Sequence, residues 1–240
     1  MKPALCLTLL VSLLAATGPG TQQAPQVVID AWEQPRVQLL DADHLPPSLT
    51  DFVADATPNI TWNGVDFTGD WDAAAATLTI TGITPLHLSG RTHIRLPKDV
   101  EANVRHHEEG HDQLNGNEYA RSARAILEEA LGGFVGSRFK GVGADDATRQ
   151  KDAWAAARAQ RTRRVNNACL RLLAQMDALS AFYDEVTVHG TSRRVDTDKG
   201  IAAALRHRDL MAATGAALPA APDTRPSAGT TGSAGPPTGR

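Results

Sequence analysis

Residues 104 to 111 read Val104-Arg105-His106-His107-Glu108-Glu109-Gly110-His111, and how the chain is assembled follows from whether this stretch is helical. Histidines four apart fall on one face of a helix, so two imidazoles can hold a single Zn²⁺ with the intervening carboxylate beside them as a candidate base. His107, Glu108 and His111 form this H-E-x-x-H pattern. So short a pattern recurs by chance, and its surroundings must decide. Upstream, Arg91 to Leu96 reads as a strand, and Pro97-Lys98-Asp99 offers a helix start with Asp99 as N-cap. Downstream, Leu114, Tyr119, Ala120, Ala123, Ile126 and Leu127 keep a helical period until Gly132-Gly133. The motif is therefore expected early in a helix of roughly thirty residues.

The N-terminal sequence has Lys2, an apolar run from Ala4 to Ala16 and small residues from Ala15 to Gly20. That is the pattern of a signal peptide, with a run too short to span a membrane stably. Residues 1–24 are expected to be removed, leaving a periplasmic or extracellular protein with no stable membrane insertion. Cys6 would leave with them. Cys169 then stands alone, which excludes an intrachain disulfide and a cysteine zinc cluster, so histidines and carboxylates must hold any metal. Residues 213–240 are mostly Ala, Gly, Pro, Ser and Thr without period, the composition of a disordered tail. Residues 25–212 are left as one domain. A formal charge of −3 points to no polyanionic partner, and nucleic acid is not expected.

From Gln26 to Ile83 the chain is strand-like, with branched or aromatic runs at Val27 to Ile29, Val37 to Leu40, Thr61 to Thr68 and Thr77 to Thr81. Strict alternation over Thr77 to Thr81 implies one wet face, and Trp32, Trp62 and Trp71 read as packing residues. Leu86 to Leu96 reads as two strands joined at Ser89-Gly90. Thr92 to Leu96 is then either an ordinary sheet strand or, as in zinc peptidases, a cleft-edge strand that pairs with the substrate backbone. A second helix is expected from Asp145 to Asp184, where Val165, Cys169, Leu172, Met176, Leu179 and Tyr183 form a stripe suited to lengthwise packing on another helix. Arg158, Arg161, Arg163, Arg164 and Arg171 read as its solvated face. The expected class is α+β: a small antiparallel sheet followed by two long packed helices.

Catalytic zinc takes three protein ligands and leaves one position open. Leu114 and Asn117 stand where the long metzincin pattern needs Gly and His. Glu118 lies seven residues past His111, roughly 10 Å along the axis, out of reach of the same ion. Glu128 or Glu129 serves only if Asn115-Gly116-Asn117 breaks the helix. His189 follows the second helix and is stopped by Gly190. It reaches the motif only if the Gly132 to Gly143 loop projects beyond the first helix, because a tight return overshoots by roughly 30 Å.

The segments His107-Glu108-Glu109-Gly110-His111 with Tyr119-Ala120-Arg121, and Tyr183-Asp184-x-x-Thr187-x-His189-Gly190, resemble the two signatures of an uncharacterised bacterial family of predicted secreted zinc-dependent proteases. The likeness covers roughly Asp66 to Gly190. The chain departs from the family pattern in Glu109, where Gln is usual, and in about one extra residue near Asn115-Gly116. The resemblance implies a zincin-like domain, a Zn²⁺ cofactor, a peptide or protein substrate, and His189 ahead of Glu128 and Glu129 as third ligand. On that basis His107, His111 and His189 would hold zinc, Glu108 would be the catalytic base, Tyr183 would face the oxyanion, and Asp184 would orient a ligand imidazole. The other classes are a noncatalytic zinc-binding protein and a helical interaction protein of the cell envelope.

Overall fold

The computed structural model describes residues 27–41, 54–64, 66–192 and 194–214; the expected signal peptide and all but the first two residues of the expected tail lie outside them. Its elements in chain order are β1 (Val27–Ile29), β2 (Arg36–Leu40), β3 (Asp55–Gly64), β4 (Phe67–Asp72), β5 (Thr77–Ile83), β6 (Leu86–Pro97), α1 (Ala102–Leu131), β7 (Arg138–Lys140), α2 (Asp146–Thr187) and α3 (Thr197–Thr214). The class is α+β, but there are two sheets rather than one, and a third helix.

β6 is the axis of the larger sheet. Its twelve residues alternate between buried and half-buried without a break, the signature of a strand with one face on a core. β3 pairs antiparallel along one side, Asp55 opposite Arg95 through Gly64 opposite Leu86. β1 and β2 lie end to end along the other side, both parallel to β6. The sheet is therefore mixed, and His93 to Arg95, the centre of the Thr92 to Leu96 segment, are paired on both sides and have no free edge to offer a substrate. This corrects the cleft-edge reading of that segment.

Ser89-Gly90 is no turn either. A Cβ at Gly90 would come within 2.4 Å of the Trp32 ring, so the glycine allows a close approach within a continuous strand. Gly116 faces the same ring from α1, where a Cβ would lie 3.1 Å from Trp32 Cδ1. The indole stacks at a tilt on Tyr119 and donates from Nε1 to Asp112 at 2.8 Å. The glycine that read as a possible helix breaker is thus part of a socket for Trp32, and α1 runs unbroken for 30 residues. Its N-cap is Glu101, without a side-chain capping bond, not Asp99.

The expected strand from Thr61 to Thr68 is split between β3 and β4, because Gly64 turns the chain with φ of +76°. β4, β5 and β7 form the second sheet, entirely antiparallel. Thr77 to Thr81 lies within β5, its Leu78 and Ile80 buried as the alternation predicted.

α2 begins at the capping carboxylate of Asp145, which accepts from the Thr148 backbone N–H, and continues for 42 residues. The twelve residues by which it exceeds α1 (42 − 30), about 18 Å at ~1.5 Å each, carry its N-terminal part beyond the end of α1. The second sheet covers this overhang: Phe67, Leu78, Ile80, Phe134 and Phe139 pack on Ala153 and Ala157. The Gly132 to Gly143 segment thus projects past α1 as the geometry demanded, but contains β7 rather than being all loop. The remaining stripe of α2 packs lengthwise on α1, with Val165, Cys169, Leu172 and Met176 against Tyr119, Ala123, Ile126 and Leu127, and the larger sheet closes this core with Leu86 and Leu88. Of the arginines, Arg164 donates to the carbonyls of Ala130 and Gly132 at the end of α1, and Arg171 pairs with Glu129.

Candidate metal centre

α1 and α2 meet at His107, His111 and Asp184. The two imidazoles project from successive turns of α1, with Nε2 atoms 3.2 Å apart. Asp184 Oδ1 lies 3.0 Å from Nε2 of His107 and 2.9 Å from Nε2 of His111. The histidines are 2% and 3% exposed and the Asp184 side chain 18%, so the three donors converge out of bulk water. Burial opposes ionisation of Asp184, but hydrogen bonds to both imidazoles, together with their charge, more than reverse this and hold its carboxyl far below the usual carboxylate range.

The neighbours fix which atoms point inward. The Thr187 hydroxyl donates to the Tyr183 carbonyl at 2.7 Å, so at His107 Nδ1, 3.3 Å away, it can only accept. This assigns the His107 proton to Nδ1 and turns the Nε2 lone pair towards Asp184 and His111. Without a metal, that nitrogen must carry a second proton to face the Asp184 oxygen at 3.0 Å, and a bound cation would take the proton's place. The separations suit a metal. Ligands about 2.0 to 2.1 Å from a tetrahedral zinc are about 3.3 to 3.4 Å apart, and the three distances here fall only slightly short of that. The His107–His111–Asp184 group can therefore hold a metal ion.

Tyr183 forms one wall. Its ring stacks on His107 with centroids 4.7 Å apart and planes 10° from parallel, and meets His111 edge-on. Its hydroxyl donates to the His107 carbonyl at 3.3 Å. Fully buried, it serves the helix contact and has no open side for an oxyanion; burial pushes its phenol up to about 12. Gly110, in the middle of the motif, makes room for it, since a Cβ there would lie 2.3 Å from the Tyr183 oxygen. Gly190, with φ of +77°, brings the chain after α2 against His107, where a Cβ would lie 2.8 Å from the His107 Cβ.

The segment ending at His189 is therefore level with His107. Its imidazole, however, is 79% exposed, with Nδ1 3.7 Å from Asp184 Oδ1, at the rim of the group and outside it. Val188 and His189 both adopt left-handed backbone, which turns the chain out of the helix at this point. Asp184 occupies the place between the imidazoles that the sequence assigned to His189. Glu108 is buried beside the pair on α1. Glu128 and Glu129, more than four turns further along an unbroken helix, pair with Arg124 and Arg171, far from the group. This removes them as alternative ligands. His106 and Glu109 pair with each other on the exposed side of α1.

α3 also reaches the site, which the sequence reading missed. Thr197 and Gly200 abut Tyr183 and Thr187: a Cβ at Gly110 would meet Thr197 Cγ2 at 3.0 Å, and one at Gly200 would meet Thr187 Cγ2 at 2.4 Å. The Asp196 carboxylate accepting from the Lys199 N–H is a legible capping signal for α3. Comparison with family models, with curated proteins and with solved structures yields no match.

Proposed function

We propose that the protein is an exported zinc-dependent peptidase of zincin-like fold, in which His107, His111 and Asp184 hold the metal and Glu108 is the general base. The convergence of Asp184 Oδ1 on the two Nε2 atoms carries this reading, because two imidazoles and a carboxylate form a donor set used by catalytic zinc. The same set serves non-haem iron(II). Glu108, lying between the two histidines in sequence, favours zinc and hydrolysis. The stripe of α2 is buried against α1, and the exposed large apolar side chains among the described residues are dispersed over three elements and two connections, so a helical docking protein has less support.

Bound zinc would supply a water of lowered pKa and a Lewis acid for the scissile carbonyl. The chain's own residues do the rest. Thr187 and Tyr183 fix the His107 ring, one through Nδ1 and the other by stacking. The Glu108 carboxylate takes the proton from the attacking water and passes it to the leaving amine. His189 stands exposed at the rim of the group, with Nδ1 3.7 Å from Asp184 Oδ1. Export rests on residues 1–24.

The test is Glu108→Gln. The variant should retain one zinc per chain by elemental analysis while hydrolysis of an unstructured protein such as casein falls by about 10²- to 10⁴-fold. Full activity with zinc bound removes Glu108 as the base, and a wild-type chain that takes up no zinc removes the whole reading.

A further inference from the structure

A polar layer crosses the helix interface next to the metal group. Asn115 is one turn along α1 from His111, and Ser180 is one turn back along α2 from Asp184, so each lies about 6 Å from a donor-bearing turn on the facing helices. Asn115 is fully buried and Ser180 is 2% exposed. The Asn115 amide nitrogen donates to Thr92 Oγ1 at 3.4 Å, towards the sheet, which turns Oδ1 the other way. That oxygen and the Ser180 hydroxyl have no hydrogen-bonding partner among the described residues. The surroundings are apolar, with Leu114, Leu179 and Tyr183 on one side and Tyr119 and Met176 on the other. Two unsatisfied polar groups in such a place are costly, and a chain that needed only packing would carry aliphatic residues there.

We infer that Asn115 Oδ1 and Ser180 Oγ share a buried water, and that this bridge is a positioning element of the metal centre. The inference rests on the metal reading above. Water suits the site because it can donate to the amide oxygen while accepting from the hydroxyl. By tying the turn of α1 after His111 to the turn of α2 before Asp184, it sets the separation of the donors one turn further on. Asn115 and Ser180 are thus positioning residues acting through the helices that carry His111 and Asp184.

The experiment compares wild type, Ser180→Ala, Asn115→Leu and the double variant by two measurements: zinc affinity, by competition with a chromophoric chelator, and melting of the metal-free protein. The double variant removes both bridged oxygens but leaves the buried Thr92 hydroxyl without its Asn115 donor, so it should remain folded and melt about 2 to 12 degrees below wild type. Its zinc affinity should fall about 10- to 100-fold, the loss seen when outer supports of metal ligands are removed. Ser180→Thr, which keeps the hydroxyl, should retain most of the affinity. Wild-type zinc affinity in the double variant overturns the inference while leaving the metal site intact. So does equal loss in Ser180→Thr and Ser180→Ala. Absence of zinc binding in the wild type would instead overturn the site itself.

Discussion

Asp184→Asn separates the two possible third ligands. The substitution keeps the shape of the side chain and removes its charge. In the native arrangement Oδ1 makes two contacts, at 2.9 and 3.0 Å, to ring nitrogens that are almost wholly buried. With a metal between these atoms Asp184 becomes a ligand, and since removing only an outer support of a ligand costs up to about 2.8 kcal/mol of metal binding, losing the anionic ligand itself costs at least that. At 1.4 kcal/mol per decade, that is at least roughly a hundredfold in metal affinity. The same chelator competition measures it directly. Thermal melting gives a second readout, because zinc that binds only the folded chain raises its stability by RT ln(1 + [Zn]/Kd). Wild type should melt higher in micromolar zinc, and Asp184→Asn should lose most of that increment. His189→Ala, altering an imidazole at the rim, should bind zinc with wild-type stoichiometry and nearly wild-type affinity. The reverse pattern, with Asp184→Asn binding normally and His189→Ala failing, would refute the assignment and restore His189 as ligand.

Gly110→Ala should destabilise the protein by about 2 kcal/mol in urea titration, since a methyl 2.3 Å from the buried Tyr183 oxygen overpacks the site by more than the ~1 kcal/mol gained in helix propensity; unchanged stability would mean that the ring does not lie against that turn. The chain's two tyrosines, Tyr119 and Tyr183, are both buried, with phenols pushed up by burial, Tyr183 to about 12 and Tyr119 further. Raised values favour the neutral folded form, so their stabilising effect is complete below pH 10, the unfolded value, and is lost as pH rises from there towards 12 and beyond. Phenolate absorbance at 295 nm should therefore stay flat past pH 10 and rise together with the loss of far-ultraviolet ellipticity; a rise at pH 10 with the fold intact contradicts the burial of both rings.

Both long helices were legible because each carries a sustained apolar period, and the offset between them followed from arithmetic on the rise per residue. The placement of the third donor was not. The periodic stripe of α2 ends at Tyr183, whereas the helix continues to Thr187. Those extra residues keep Asp184 and Thr187 on the side facing α1, and put His189 beyond the left-handed cap, where it turns outward. Gly90 and Gly116 misled for a common reason. A glycine needed for close approach to a distant ring looks, in sequence, like one needed for a turn, and only the position of Trp32 tells them apart. α3 escaped notice because so little of it is apolar and inward: only Ile201 and Ala204 are buried large or small hydrophobics along its 18 residues.

The overhang of α2 makes one rigid rod common to both sheets. From Ala157, gripped by the smaller sheet, to Asp184 is 27 residues (184 − 157), about 40 Å of continuous helix. Over that lever a tilt of about one degree at the far end displaces the carboxylate by about 0.7 Å, of the order that separates a productive geometry from a slow one. The smaller sheet, which touches none of the donors, thereby acts as an alignment jig. The accuracy of the chemistry would depend on how firmly Phe67, Phe134 and Phe139 clamp the opposite end of the beam.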